Sequence, residues 1–228
     1  MSTNPDVGRY GSGKVVRRIE DPALLAGRGQ YTGDVSLPGQ AWLVFVRSPF
    51  AHARINGIDI SEAKAIPGVL AIITGEDLVR ADVKALAGAA GFKRADGSPV
   101  ASAPRRPLAH EVARFAGEAV AAVIAESPAA AREAADAVMV DYEELPAVVD
   151  TLAALKAGAP VLCEQAPDNI AAESRYGNAK AATAAFAAAA HTVSLDIENQ
   201  RLAANPIEPR TVLADFDEAT GRLTVRLS

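Results

Sequence analysis

The chain of 228 residues has little of several residue types that would define a function directly. It has a single cysteine, Cys163, which excludes an internal disulfide framework and a cysteine-ligated iron–sulfur cluster built from this chain alone. We interpret Cys163 as a structural thiol, since nothing around it in the sequence indicates an activated, catalytic cysteine. Aromatic residues are 5% of the chain and apolar residues 50%, which predicts a core of Val, Ile, Leu and Ala.

An excess of basic charge is also missing. The chain has 23 Lys and Arg against 28 Asp and Glu, a formal net charge of −5, which argues against nucleic acid as a partner. No apolar run approaches the ~18 residues of a membrane span. The first residues lack the basic and apolar regions of a secretory signal. We therefore expect a cytoplasmic chain that contacts neither nucleic acid nor a membrane.

Two segments come close to known catalytic motifs and fail at an essential position. Residues 8–14 nearly match a phosphate-binding loop, but Val15 stands where Ser or Thr must hold Mg²⁺. Residues 110–114 begin like a zinc-protease motif, but Arg114 replaces the second histidine ligand. The three histidines are far apart in sequence, and no pair of carboxylates is singled out for acid–base work. These fragments therefore identify no catalytic, cofactor-binding or metal residue.

Turn residues and short apolar runs predict an α+β domain at 17–150, preceded by a flexible arm at 1–16. Two strand–helix–strand units are expected to share one sheet with their helices packed on it. Ser61, a capping box at Thr74–Asp77 and the Ser127-Pro128 step are expected to begin helices. The predicted strands are 41–46, 69–73, 119–125 and 138–142, and the main predicted helices are 61–66 and 128–137.

The last third of the chain predicts an irregular connector and then the start of a second region. Residues 151–178 contain several Gly and Pro and form the connector, and the alanine-rich stretch 179–190 favours a helix. Residues 191–199 alternate apolar and polar side chains, which is typical of a half-exposed strand. Two further strands flank a hairpin loop at 217–221. This second β-containing region is expected to be incomplete.

Several segments, taken in order, are more specific than any single fragment. They are Arg18–Gly29, the Arg47-Ser48-Pro49…Ala51-His52-Ala53-Arg54-Ile55 block, the Gly117-Glu118 step, Val140–Pro146 and Glu208-Pro209-Arg210. Together they resemble the beginning of the large, molybdenum-cofactor-binding subunit of the xanthine dehydrogenase, aldehyde oxidase and carbon monoxide dehydrogenase family. The resemblance extends from about residue 14 to the C-terminus.

The resemblance implies an α+β fold that begins with an a/b hammerhead domain at 17–150, made of βαβ-like units on a mixed sheet. After the connector at 151–178, residues 179–228 would be the truncated beginning of a second α+β domain, which binds molybdopterin. The predicted architecture is therefore one complete domain followed by an incomplete one.

The resemblance also implies a function for the complete protein. Members hydroxylate an aldehyde, an N-heterocycle or carbon monoxide with oxygen from water, at molybdenum held by a pterin cofactor. Electrons leave through iron–sulfur clusters to FAD, on a small and a medium partner subunit in many bacterial enzymes. This chain would be the N-terminal structural portion, not catalytic by itself, that assembles with the remaining molybdopterin-binding domains. A non-catalytic hammerhead scaffold or docking module is the alternative.

None of the family's catalytic, cofactor or metal residues can be placed on this chain, so only supporting roles are left. The candidates are Gly117, Glu118, Glu208 and Arg210. Gly117 is expected to permit close backbone approach inside a packed strand. Glu208 and Arg210 are expected either to form an ion pair that braces the sheet beneath the cofactor or to be a plain surface pair.

Overall fold

The computed structural model describes residues 18–86, 91–101, 103–200 and 202–228. The predicted arm at 1–16 and the phosphate-loop-like segment at 8–14 lie outside the described residues. Contacts divide the chain into two compact units, Gln40–Val193 and the residues up to Gly39 together with Ser194–Ser228. None of the helices in the described ranges is both long and apolar enough to cross a membrane.

Short helices and strands alternate along the chain. In chain order they are α1 (Asp21–Leu25), a 3₁₀ turn (Thr32–Asp34), β1 (Trp42–Arg47), β2 (Ala53–Asp59), α2 (Ser61–Ala65), β3 (Val69–Thr74), α3 (Gly75–Arg80), β4 (Val112–Ala113), β5 (Ala119–Ala125), α4 (Pro128–Asp136), β6 (Met139–Glu144), α5 (Thr151–Ala154), α6 (Ala179–Ala188), β7 (Val212–Asp217) and β8 (Arg222–Leu227). The predicted α+β class is confirmed.

The Gln40–Val193 unit contains two three-stranded sheets, in the orders β1-β5-β3 and β4-β2-β6. Every strand pair in them is antiparallel. Helix α2 leads from β2 to β3, and α4 leads from β5 to β6, so each helix connects one sheet to the other. The prediction that both strand–helix–strand units share one mixed sheet was therefore wrong in its pairing, because an apolar run does not encode its partner strand.

The core of this unit is built from small apolar side chains around the central strand β5. Five of its seven residues are buried, and α4 lays Ala131 and Ala134 towards the sheet with no exposed surface. Ala134 belongs to a cluster with Ala63, Ile72, Val123 and Val138. Because alanine projects only one methyl group, the helix axis can approach the sheet closely.

Local capping explains where α3 and α4 begin. The Thr74 hydroxyl accepts the Asp77 backbone N–H at 3.3 Å, and the Asp77 carboxylate accepts the Thr74 N–H at 2.9 Å, which confirms the predicted capping box. The Ser127 hydroxyl accepts the Ala130 N–H at 3.1 Å, as predicted. The Ser61 cap was wrong: α2 has Ile60 at its N-cap without a side-chain bond, and Asp59 accepts the Ser61 N–H instead.

We expect Thr74→Ala to lower the free energy of unfolding by about 1 kcal/mol, because it leaves the first turn of α3 without its hydroxyl acceptor. Thr74→Ser keeps that oxygen and should stay close to wild type. The bonds from Thr74 hold the pKa of Asp77 below its ordinary value, so this stabilisation is present above pH ~4 and is lost as the pH falls through the folded-state pKa. Denaturant unfolding between pH 3 and 7 measures both effects, and equal stability of Thr74→Ala and Thr74→Ser would contradict them.

The second unit contains the predicted β7–β8 hairpin, which is confirmed. Its register pairs Val212 with Leu227, Ala214 with Val225 and Phe216 with Leu223. Because side chains alternate along a strand, these six apolar residues share one face. The opposite face carries Leu213, Asp215, Asp217, Arg222, Thr224 and Arg226. The hairpin is therefore strongly two-sided.

Residues 191–199 do not form the predicted strand, although the helix predicted just before them is confirmed as α6. The segment carries no strand pairing within the described residues. Its alternating pattern gives a tendency to form a strand, but a strand also needs a neighbour. The predicted connector contains one short helix, α5. The boundaries placed at residues 150 and 178 stay predictions.

Candidate functional site

The segment between β1 and β2 is held in place through the backbone of Ser48. Its N–H donates to the Glu118 carbonyl at 2.9 Å, and its carbonyl accepts the Gly117 N–H at 2.8 Å. Ser48 is only 2% exposed, and its hydroxyl accepts the Phe50 N–H at 3.2 Å. The Arg47–Ile55 block and the Gly117-Glu118 step, which are 70 residues apart, therefore meet at the end of the β1–β5 pair.

Gly117 is required by its backbone conformation. It lies in the turn before β5 with φ of +92°, a region that residues with a Cβ rarely adopt. A Cβ built there would have nothing within 4 Å, so the predicted close approach inside a packed strand was wrong. Arg47 donates from Nη1 to the Gly117 carbonyl at 2.7 Å, which fixes the turn from the other side.

The side chain of Glu118 accepts a hydrogen bond from a backbone N–H. Its carboxylate accepts the Arg114 N–H at 2.6 Å, and its own N–H donates to the Phe115 carbonyl at 3.1 Å. With its carbonyl bound to Ser48, Glu118 ties three points of the chain together. A carboxylate occupied in this way is suited to holding a loop in shape.

We expect Glu118→Ala to lower the free energy of unfolding by about 1–2 kcal/mol, because the Arg114 N–H loses a charged acceptor in a partly buried position. Glu118→Gln retains an acceptor oxygen and should recover most of that loss. Urea unfolding of the three proteins is the measurement. An alanine variant as stable as the glutamine variant would show that this bond does not hold the loop.

A small polar and aromatic cluster lies beside this loop. His52 is buried, and its Nδ1 is 2.8 Å from the Pro146 carbonyl, so Nδ1 carries the proton. The Phe50 and Tyr142 rings lie 5.2 Å apart at 58°. Burial raises the pKa of the Tyr142 phenol, and the neighbouring Ser48 hydroxyl opposes part of that shift. Even so, the phenolic oxygen is buried without a well-formed hydrogen bond to any described residue.

Glu208 and Arg210 lie in the other unit, and the ion pair that was one of their two predicted roles is not among the salt bridges of the described residues. The Glu208 carboxylate accepts the Thr32 backbone N–H at 3.0 Å and so ties the 3₁₀ turn to the approach to β7. Arg210 is exposed. The short spacing between the two residues suggested a pair, but a backbone donor 176 positions away occupies the carboxylate.

The described residues do not assemble a donor set for a metal ion such as molybdenum. Within them, no three His, Cys, Asp or Glu side chains come together as a metal site would require. His52 faces a carbonyl, His110 contacts Glu76 at 2.9 Å, and His191 is exposed. Since these groups do not form a metal site, we derive no chemical step from them.

Sequence reasoning marked the Gly117-Glu118 step and the Arg47–Ile55 block but missed what joins them. The buried backbone of Ser48 makes that connection, and Phe50 with Tyr142 forms the adjacent ring contact. The signal that could have found it is the position of the Ser48-Pro49 step directly after an apolar run that predicts a strand. We call Ser48, Phe50, His52, Gly117 and Glu118 the loop cluster.

The fold is that of an a/b hammerhead domain followed by part of a cofactor-binding domain, and comparison with known proteins gives the family. A family model described as aldehyde oxidase and xanthine dehydrogenase, a/b hammerhead domain, matches residues 26–146, and one described as molybdopterin cofactor-binding domain matches residues 149–228. The chain therefore belongs to the aldehyde oxidase and xanthine dehydrogenase family of molybdenum-cofactor proteins.

Relatives with named activities are much longer than this chain. It is 39% identical to the nicotine 6-hydroxylase large subunit of Paenarthrobacter nicotinovorans over 99% of its own length and 27% of that protein. It is 35% identical to the carbon monoxide dehydrogenase large chain of Afipia carboxidovorans, over 94% and 27% of the two lengths. The solved reconstituted CO dehydrogenase from Oligotropha carboxidovorans superposes with a TM-score of 0.76, at 34% identity, over 93% of this chain and 27% of that one.

Proposed function

We propose that this chain is the N-terminal structural portion of a molybdenum hydroxylase large subunit and is not catalytic by itself. The observation that carries the proposal is the pair of adjacent family matches, 26–146 and 149–228, which together cover most of the chain in the order hammerhead domain, then cofactor-binding domain. The chain spans about 27% of the first relatives' length. We accordingly assign the reactive centre to the rest of the large subunit, which this portion supports.

The proposed reaction of the complete protein is oxidative hydroxylation with oxygen from water, on an aldehyde, an N-heterocycle or carbon monoxide. The names of three relatives support this range of substrates: a nicotine 6-hydroxylase, a carbon monoxide dehydrogenase and an aldehyde oxidoreductase. The loop cluster supports a structural role for this portion, because its polar groups are mostly bound to backbone atoms. Gly117, Glu118, Glu208 and Arg210 are proposed as supports of the fold around the cofactor.

The proposed partners are the remaining molybdopterin-binding domains, a medium subunit that binds FAD and a small subunit that holds iron–sulfur clusters. Several relatives are named as the large chain or subunit of a complex, which supports partner subunits in general. The proposed domain boundaries are an arm at 1–16, the hammerhead at 17–150, a connector at 151–178 and the beginning of the molybdopterin domain at 179–228. A cytoplasmic location stays a prediction of this proposal.

A domain replacement tests the proposal. We expect a chimera to load molybdenum and hydroxylate nicotine when this chain replaces the matched 227 residues of the nicotine 6-hydroxylase large subunit. The isolated chain should hold no stoichiometric molybdenum by elemental analysis, and the subunit lacking the segment should be inactive. A folded chimera without molybdenum would defeat the proposal and favour the docking-module alternative. Molybdenum on the isolated chain would refute the assignment of the reactive centre elsewhere.

A further inference from the structure

Residues 192–198, which we call the open segment, have a strand's pattern and no strand partner among the described residues. Val193, Leu195 and Ile197 alternate with polar residues and are 91%, 79% and 81% exposed. No backbone group of the open segment is hydrogen-bonded to another described residue. Aliphatic side chains in strict alternation with polar ones are the pattern of a strand with one packed face, so this exposure is costly in water.

The hairpin presents a second uncovered apolar surface. The apolar face of β7 and β8 exposes Val212, Phe216, Leu223 and Leu227 by more than half of their surface. An isolated two-stranded hairpin is at best marginally stable in water, and a third strand or a packed layer is normally needed. Within the described ranges the open segment thus has no partner strand, and the hairpin has no third strand, although the 3₁₀ turn contacts β7.

We propose that the open segment becomes a β-strand by pairing with the remainder of the large subunit, which also covers the apolar face of the hairpin. This inference rests on the proposed function. Both features lie within the 149–228 match to the molybdopterin cofactor-binding domain, and the relatives continue for about three more lengths of this chain. The occupant is therefore the part of the molybdopterin-binding subunit that these residues do not include.

The sequence of the open segment suits an internal strand better than a protected edge. Edge strands that must avoid pairing commonly carry lysine, proline or a bulge, and residues 192–198 have neither lysine nor proline. In a strand, Asp196 and Glu198 would lie on the face opposite Leu195 and Ile197, so one face would be apolar and the other acidic. A second copy of this chain is a weaker occupant, since both copies would carry the same negative charge.

Hydrogen exchange tests the pairing in the isolated chain and in the chimera described above. In the isolated chain, the amides of residues 192–198 should exchange at unprotected rates at every protein concentration. In the chimera, the amides that face the new partner should slow by at least about tenfold. Protection that rises with the concentration of the isolated chain would identify a second copy as the occupant and overturn the proposal.

The chimera separates this inference from the proposed function. A chimera that loads molybdenum while 192–198 stays unprotected overturns the pairing and leaves the function standing. One that protects 192–198 without molybdenum supports the pairing and defeats the function. A chimera that neither loads molybdenum nor protects 192–198 defeats both the proposed function and the strand pairing.

A pair of charge variants gives an independent readout. Leu195→Lys should reduce the yield of folded, molybdenum-loaded chimera several-fold. Asp196→Lys, which changes the opposite face, should reduce that yield less than Leu195→Lys does. Both side chains are exposed in the isolated chain, so neither variant should change its melting temperature. Equal yields from the two variants would contradict a packed apolar face.

Discussion

Replacing Gly75 with alanine is expected to destabilise the Gln40–Val193 unit by about 3 kcal/mol or more. Gly75 is buried where β3 ends and α3 begins. A Cβ there would overlap the Ala109 carbonyl oxygen and lie 2.8 Å from its carbonyl carbon and 3.2 Å from His110 Cα. Because these are backbone atoms, no rotamer change relieves the overlap, and one chain segment must move away from the other.

The melting temperature of Gly75→Ala should fall by roughly 6–12 °C, the shift that such a loss produces in a domain of this size. Gly57→Ala is the matched control. Gly57 lies in β2 without a positive φ, and a Cβ added to it would meet nothing within 4 Å, so alanine there should be neutral or slightly stabilising. If the Gly75→Ala and Gly57→Ala proteins had the same melting temperature, the close approach of Gly75 to Ala109 would be disproved.

The Gly75 contact also shows where sequence reasoning stops. Thr74 and Asp77 predict the start of a helix because the capping box is local: it joins two residues three positions apart. Nothing in Thr-Gly-Glu-Asp indicates that a loop 34 residues later runs against the glycine. Local signals predict elements, and contacts between distant segments depend on how the sheets assemble.

The strands also differ in how far their own sequence predicts them. The predicted strands at β1, β3 and β5 are apolar runs and were found, whereas β2 was missed because Arg54, Asn56 and Gly57 interrupt its pattern. β2 is held by its neighbours: it pairs with both β4 and β6, at the centre of its sheet. Its identity as a strand comes from these partners more than from its own side chains.

The candidate site shows a further limit. The sequence singled out Gly117 and Glu118 together, but it assigned close packing to Gly117, where a positive φ is the requirement. It joined Glu208 to Arg210 by proximity in sequence, while the carboxylate binds the Thr32 amide. Conformation and long-range hydrogen bonds are properties of the folded backbone, which spacing does not reveal.

Replacing Ala134 with leucine is expected to cost about 3 kcal/mol, at the upper end for added volume in a packed core. Ala134 lies on the buried face of α4, has no exposed surface and packs with Val123 and Val138. Helix α4 also contacts α2, whose Ala63 belongs to the same cluster. The added carbon atoms would push α4 away from the β1–β5–β3 sheet and from α2 together.

Ala129→Leu is the control for Ala134→Leu, since it makes the same change in the same helix at an exposed position. Leucine is nearly as good a helix former as alanine, so Ala129→Leu should stay within about 0.5 kcal/mol of wild type. Denaturant unfolding of both variants gives the comparison. If Ala134→Leu were as stable as Ala129→Leu, α4 could not lie as close to the sheet as its alanine face requires, and the small-residue core would have to be replaced by a looser arrangement.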